Sequence, residues 1–414
     1  MTALKARLDK LRRGAGREPG AGADPGAAPE AAPGVGQRLR RLGRGNPPAQ
    51  GMGEEALAAH LGGRVLAEGV VQITETLPLS HVHGRIPLSA ICAGTDHLGN
   101  VTPTDVVYMD TETSGLAGGT GTVVFMLGMA RLGAGRLELV QYLLTRFAGE
   151  GAFLEGAREW LGEAAGMVTF NGRSFDVPLL AARCRLTRCP DPFSAVAQID
   201  LLHPTRRAFG RCWPDCRLQT AEARLLGFTR QDDLPGAMAP QAWFRWVGSG
   251  SADLLPGVLA HNRWDLLSLA ALGPALDGAY DDPVAWGADP VGVARHHRTR
   301  GAGDKAHRIL RGAGEALGVP GRHELARSCR RRGDWAGAVA IWESLAAVDD
   351  REALECLAKY YEHVDRDWER ALGFARRLAG AAPSHPGYRH RLQRLAARVH
   401  GRCANGAGEP FIFE

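Results

Sequence analysis

The spacing of large apolar residues changes rhythm several times along this chain, and each change marks a region. From Gly14 to about Gln50 the sequence is Gly, Ala, Pro and Arg with almost no large apolar side chains. Such a stretch cannot bury enough surface to offset its ordering entropy, so residues 1–50 are expected to be a disordered basic tail, with Met1 to Arg13 able to form a short helix. Residues 51–103 carry weak strand signals such as Val70-Val71-Gln72-Ile73 and read as a segment that leads into the main domain and packs on it. His81 and His83 have metal-ligand spacing there, but no acidic partner is near, which favours packing over ligation.

Residues 104–275 read as an α/β domain. Apolar runs at Val106–Asp110, Thr122–Leu132 and Leu137–Leu144, parted by glycine-rich turns, predict three strands, and the short links predict an antiparallel meander. A helical stretch at Phe153–Ala165 follows, then a strand at Met167–Phe170 and helices near Asp176–Arg185, Leu218–Leu226 and Asp253–Leu272. The expected fold is a mixed sheet, three antiparallel strands and then parallel ones, flanked by helices.

The last third is helical and repetitive. Residues 332–338 and 365–371 align at a shift of 33, matching Asp334 with Asp367, Trp335 with Trp368 and Ala338 with Ala371; Ile341 then matches Phe374, and Leu345 matches Leu378. A period near this length with paired helices is the signature of tetratricopeptide-like repeats. Helices near Ala306–Leu317 and Gly387–Val399 would complete the stack. The division expected is a linker at 276–300, repeats at 301–403 and a tail at 404–414.

Composition narrows the setting. The 414 residues suffice for two or three domains, and no uncharged apolar run is long enough for a membrane span. The N-terminus lacks the apolar core of a signal peptide, and the eight cysteines do not make a disulfide framework; a cytoplasmic protein is expected. Cys184, Cys189, Cys212 and Cys216 are spaced more loosely than a C-x₂-C zinc site, so buried thiols are favoured over zinc. Net charge is +6 over residues 1–45, +7 over 291–414 and −8 between them. An acidic centre between basic flanks suits a metal site that gathers a polyanion, and equally a soluble protein with an arginine-rich surface.

The acidic centre has one concentrated feature. Asp110 and Glu112 end the first strong strand, and at i and i+2 their side chains share a face of the sheet. Paired carboxylates repel unless a cation lies between them, and a divalent metal is the usual answer; incidental acids at a solvated strand end are the alternative. Asp176 follows a strand and an Asn171-Gly172 turn, as a helix cap or a ligand. His261 and Asp265, at i and i+4, share a helical face within a Leu- and Ala-rich segment. Asp200, Asp232 and Asp233 suit caps or loops, and Arg206 and Arg207 suit either a phosphate contact or a solvated turn.

In order, D-T-E-T-S-G-L, N-G-R-S-F-D and H-N-R-W-D resemble the three motifs of the DEDD 3′–5′ exonuclease superfamily. T-F-N-G-R-S-F-D-V-P-L-L, I-D-L-L-H-P-T-R-R, C-R-L-Q-T-A-E, D-D-L-P-G-A and H-N-R-W-D-L-L-S-L look more closely like the bacterial YprB-type ribonuclease H-like proteins, over roughly residues 100–275. The resemblance implies a ribonuclease H-like fold and a 3′–5′ exonuclease acting on RNA or single-stranded DNA. Asp110, Glu112, Asp176 and Asp265 would hold two Mg²⁺ or Mn²⁺ ions. Thr113, Ser114, Gly115, Leu116 and Asn171 would meet the substrate, with Leu116 wedged against the terminal base. His261 would handle the proton of the attacking water. It lies four residues before Asp265, whereas the family places a His five before or a Tyr four before; one residue turns a helical side chain by about 100°, which predicts displacement of His261 from that water. The repeats would bind a protein partner or guide the substrate. A non-cleaving scaffold that works through its repeats is the competing expectation.

Overall fold

Residues 51–115 and 121–406 are described by a computed structural model and build outward from a seven-stranded mixed sheet. Helix α1 (Glu54–His60) precedes β1 (Arg64–Ala67) and β2 (Val70–Pro78), and a separate ribbon pairs β3 (Val82–His83) with β4 (Ile86–Pro87). Next come β5 (Val106–Thr113), β6 (Val124–Leu132) and β7 (Arg136–Leu144), the antiparallel meander that the short links predict. Helix α2 (Glu150–Leu161) leads to β8 (Gly166–Thr169), and α3 (Asp176–Thr187) to β9 (Ala197–Asp200). These crossovers make β5, β8 and β9 parallel, in the order β1-β2-β7-β6-β5-β8-β9.

Two strands exceed the expectation. The segment before residue 104 joins the sheet rather than only packing on it: β2 pairs with β7 from Val70–Leu144 to Pro78–Arg136 and covers what would be an open edge. Its sequence signal is weak because it is buried only at its start and alternates afterwards. Strand β9 is short and carries Gln198 and Asp200, so apolar patterning does not mark it. The tail 1–50, Leu116 and residues 407–414 lie outside the described residues.

Both faces of the sheet are covered. Val106 and Tyr108 of β5 pack in one core, while Val107 and Met109 pack in the other, as strand alternation requires. Helices α4 (Leu202–Phe209), α5 (Leu218–Ala221), α6 (Ala239–Ser249) and α7 (Leu255–Asp281) complete these layers. Helix α5 opens into a wider π-type turn at Glu222–Leu226. The middle of α7 lies on the Val106–Tyr108 face with Leu266, Leu267, Leu269 and Ala270 fully buried, each large side chain stabilising by about 1.5–3 kcal/mol.

Residues 276–300, expected as a linker, are mostly helical and belong to this core. Helix α7 runs on to Asp281, because Leu276, Ala279 and Tyr280 continue its apolar face, and α8 (Pro290–Thr299) buries Val291, Val293 and Ala294 in the same cluster. Helix α9 (Gly303–Ala313) adds Ile309 and Leu310. A separate core then forms from α10 (Gly318–Arg331), α11 (Trp335–Ala346), α12 (Arg351–His363), α13 (Trp368–Ala381) and α14 (Pro386–Gly406). The repeated Asp-Trp phrase starts α11 and α13: Asp334 accepts from Gly337 N–H and Asp367 from Arg370 N–H, the same helix cap twice. Among the described residues no helix is long and apolar enough to cross a membrane.

Helix α7 descends closest to the sheet over Gly128, which β6 sets between Asp110 of β5 and Gln141 of β7. A Cβ here would stand 2.0 Å from Asn262 Oδ1 and 2.9 Å from Leu266 Cδ1. Gly128→Ala is therefore expected to lift the helix and destabilise the fold by about 1–3 kcal/mol, read as a lower denaturation midpoint with unchanged slope.

Candidate active site

Strand β5 delivers Asp110 and Glu112 to its carboxyl-terminal end on the face that α7 covers, in phase with Val106 and Tyr108. Asp110 is held from above: Asn262 of α7, fully buried, donates Nδ2–H to Asp110 Oδ2 at 2.9 Å, and its own Oδ1 accepts from Gln141 Nε2 at 2.9 Å. Asp176, at the first turn of α3, accepts from the Thr111 hydroxyl. Asp265 projects from α7 one turn after His261. All four acids named from the motifs thus meet at one end of the sheet, and their charges act on one another.

His261 stands beside two of these acids. Its Nε2 lies 4.0 Å from Glu112 Oε1 and 3.5 Å from Asp265 Oδ2. A four-residue offset turns a helical side chain only about 40° past a full turn, so His261 and Asp265 still share a face. The ring is fixed from behind by Asp233, whose Oδ1 lies 2.7 Å from Nδ1. Arg230 Nη1 also approaches Nδ1, at 3.2 Å, so a carboxylate and a guanidinium together hold this edge of the ring while Nε2 faces the acids. Arg230 donates to Asp265 and, through Nε at 2.9 Å and Nη2 at 2.6 Å, to both oxygens of Glu222. Glu222 accepts from the Ser268 hydroxyl at 2.6 Å, and Ser268 meets His83 Nε2 at 2.8 Å. This buried chain ties the β3–β4 ribbon to the acidic cluster, and it explains why His83 packs inside.

The acids strain against their burial. Burial, then the charges of Asp265, Asp176 and Glu112, hold the Asp110 carboxyl well above its ordinary range despite the Asn262 hydrogen bond. Glu112 is pushed up to about 8, first by burial and then by Asp265 and Asp176, with Arg230 opposing. Asp176 rises to about 6 through burial, eased by the Thr111 and backbone hydrogen bonds. Burial also raises Asp265, although Arg230 and His261 pull it down. Arg230 alone does not compensate so many carboxylates, so the cluster is short of positive charge. One donor atom each from Glu112, His261 and Asp265 lies within 4.8 Å of the others, an arrangement that can take a cation. Oxygen donors with one imidazole fit a divalent ion of hard or intermediate character.

Other expected site residues stand apart from this cluster. Ser114 is buried, and its hydroxyl accepts from Val123 N–H at 2.9 Å, closing the end of β5 onto β6. Thr113 donates to the Gly115 carbonyl at 3.2 Å. Asn171 takes a left-handed conformation (φ 70°) with its N–H on Asp200 Oδ1 at 2.8 Å, so Asp200 is a loop clamp. Asp232 is an exposed left-handed loop residue. The cysteines form no metal-holding group among the described residues.

Asn262, Gln141, Arg230 and Glu222 carry no site signal in the motifs, and Asp233, expected in a cap or loop, holds the His261 ring instead. A glycine in the middle of β6 signals close backbone approach, and a lone Glu before Leu225-Leu226 signals a paired buried acid, but neither names its partner.

Linkage gives the pH dependence its sign. A carboxyl whose folded pKa is raised adds stability that is complete below its unfolded value, about 4.3 for Glu, and that is lost as pH rises through the folded value, about 8 for Glu112. The metal-free protein is therefore expected to melt at a lower temperature at pH 9 than at pH 6. Glu112→Gln should flatten that slope and Mn²⁺ should reverse it, as calorimetry across pH would record.

Known proteins point the same way as this geometry. A family model described as RNase_H superfamily matches residues 107–276. "Uncharacterized protein YprB" of Bacillus subtilis (strain 168) is 30% identical over 321 residues, covering 72% of this chain and 77% of the relative. The sheet order, the gathered carboxylates and these likenesses lead to one assignment: the chain belongs to the YprB family of ribonuclease H-like proteins.

Proposed function

We propose that this protein is a divalent-metal-dependent 3′–5′ exonuclease of the DEDD type, acting on RNA or single-stranded DNA. Superfamily membership suggests a nuclease, and the observation that carries the reading is the mutual approach of Asp110, Glu112, Asp176 and Asp265, with Glu112 and Asp265 beside the Nε2 of His261. The exonuclease subtype and its polarity rest on the order of the three motifs. The four acids would hold two Mg²⁺ or Mn²⁺ ions, the imidazole at the cluster favouring Mn²⁺. Bound there, the ions would neutralise the carboxylates and draw charge from the scissile phosphodiester.

The chain's own groups supply the proton chemistry. With Nδ1–H held on Asp233, His261 keeps Nε2 free to take the proton of an attacking water, and Asp233 steadies the imidazolium that results. Asn262 and Arg230 act through Asp110 and Asp265 as positioning residues. The backbone of Thr113 to Leu116 and the Asn171 turn would border the terminal nucleotide. We take the paired helices of residues 301–403 as tetratricopeptide-like and suited to a protein partner or to guiding substrate.

A second reading, a non-cleaving scaffold, is favoured by one observation: the Arg230 guanidinium already neutralises Asp265. End-labelled oligonucleotides separate the two. With Mn²⁺ or Mg²⁺ the protein is expected to release mononucleotides from 3′ ends and to stop when EDTA is added. Asp110→Asn and Glu112→Gln should each abolish release with folding intact, while His261→Ala should slow it by about 10²–10⁴-fold. Full release by both acid variants would remove those acids from the reaction, and no release by the unaltered chain would leave the scaffold.

A further inference from the structure

A cavity of about 390 Å³ opens where β9 ends and α4 begins, and its lining includes Arg173, His203, Arg207, His296, Arg300 and Asp200. Some arginines have acidic partners, as in Arg183 with Glu150, Arg263 with Glu75 and Arg377 with Asp349. Arg173, Arg207 and Arg300 have none in any ion pair among the described residues. The carboxylate in the wall, Asp200, has Oδ1 committed to the N–H groups of Asn171 at 2.8 Å and Leu202 at 3.0 Å. Three guanidinium groups thus line one cavity with a single acid, whose Oδ1 is engaged and whose Oδ2 is buried without a hydrogen-bond partner.

Their present partners do not satisfy them. Arg207 reaches the Tyr280 hydroxyl at 3.3 Å and His296 Nδ1 at 3.0 Å, while Arg300 reaches Nε2 of the same ring at 3.4 Å. Burial and the two arginines lower the His296 pKa to about 4, so the ring is neutral near pH 7. A neutral imidazole has one acceptor nitrogen and one N–H, so only one of the two guanidinium groups can donate to it. The other finds no acceptor on the ring. An anion in the cavity would accept from both.

Position identifies the anion. Strands β5, β8 and β9 are parallel, so their carboxyl ends lie along one edge of the sheet. That edge is where parallel α/β sheets receive ligands. Neighbouring strands are about 4.8 Å apart, so the end of β9 lies on the order of 10 Å from the Asp110–Glu112 end of β5. One short loop, residues 171–175, contributes Arg173 to the cavity and leads directly into Asp176 of the acidic cluster.

We propose that this cavity is a subsite for the phosphodiester backbone of the nucleic-acid strand, a few nucleotides from the bond held at the acidic cluster, with Arg173, Arg207 and Arg300 as its phosphate donors. The assignment deepens the nuclease reading and rests on it for the identity of the polyanion. It predicts recognition blind to the sugar, because only phosphate is bound.

The test is binding, measured without turnover. Fluorescence anisotropy of labelled single-stranded RNA and DNA oligonucleotides, with the full chain in EDTA, is followed across a salt series. The Arg207→Gln/Arg300→Gln double variant is expected to bind both about tenfold more weakly, and the slope of log affinity against log salt should shrink by about 1.4, two contacts at about 0.7 each. Arg300→Gln alone, at an exposed position outside the core, should move both readouts in the same direction and decides the matter if the double variant does not fold. Unchanged affinity and slope in a folded variant overturn the subsite, and so does a loss confined to RNA. An unaltered chain that binds but never releases nucleotides counts against the nuclease reading and leaves the salt-slope result standing.

Discussion

One close approach sets the geometry of the rest: α7 can settle on the sheet only because β6 has no side chain at Gly128. In that gap Asn262 bridges Gln141 of β7 and Asp110 of β5, two strands joined across the third by one buried amide. The same descent brings His261 and Asp265 down beside Glu112 and buries Ser268 against Glu222. A helix held a methyl's width higher would keep its hydrophobic seam and lose the site. Packing and chemistry are therefore one constraint here.

The second organising force is electrostatic. Four acids brought under a helix would repel one another, and the fold answers with a single guanidinium, Arg230, itself pinned by Glu222. Because Arg230 is almost fully buried, its charge acts strongly on Asp265. The remaining deficit is the physical reason for the raised carboxyl pKa values and for the affinity that such a cluster has for a cation. Asp233 orients the His261 ring and adds its own charge to those that raise Glu112.

Legibility in sequence followed the range of the interactions. The D-x-E pair was readable because strand alternation is local, and the Asp-Trp repeat because each copy caps its own helix. The four-carboxylate set was legible through the spacing and order of its motifs. Residues 276–300 show the limit of this reading: their apolar side chains fall on two helix segments parted by a loop, yet they complete a core built mostly by residues far earlier in the chain.

The sequence by itself determined the α/β class, the meander, the helical repeats and which carboxylates belong together, since each rests on patterns within a few residues or on short motifs. Only the tertiary structure decided the partners: Asn262 for Asp110, Asp233 for His261, Arg230 for Asp265, and β2 for the free edge of β7. Those pairings join residues 28 to 152 positions apart, where side-chain reach and burial select the partner and no periodicity records it. The carboxylates stand out in the motifs, and their positioning lies in the packing of one helix on one glycine.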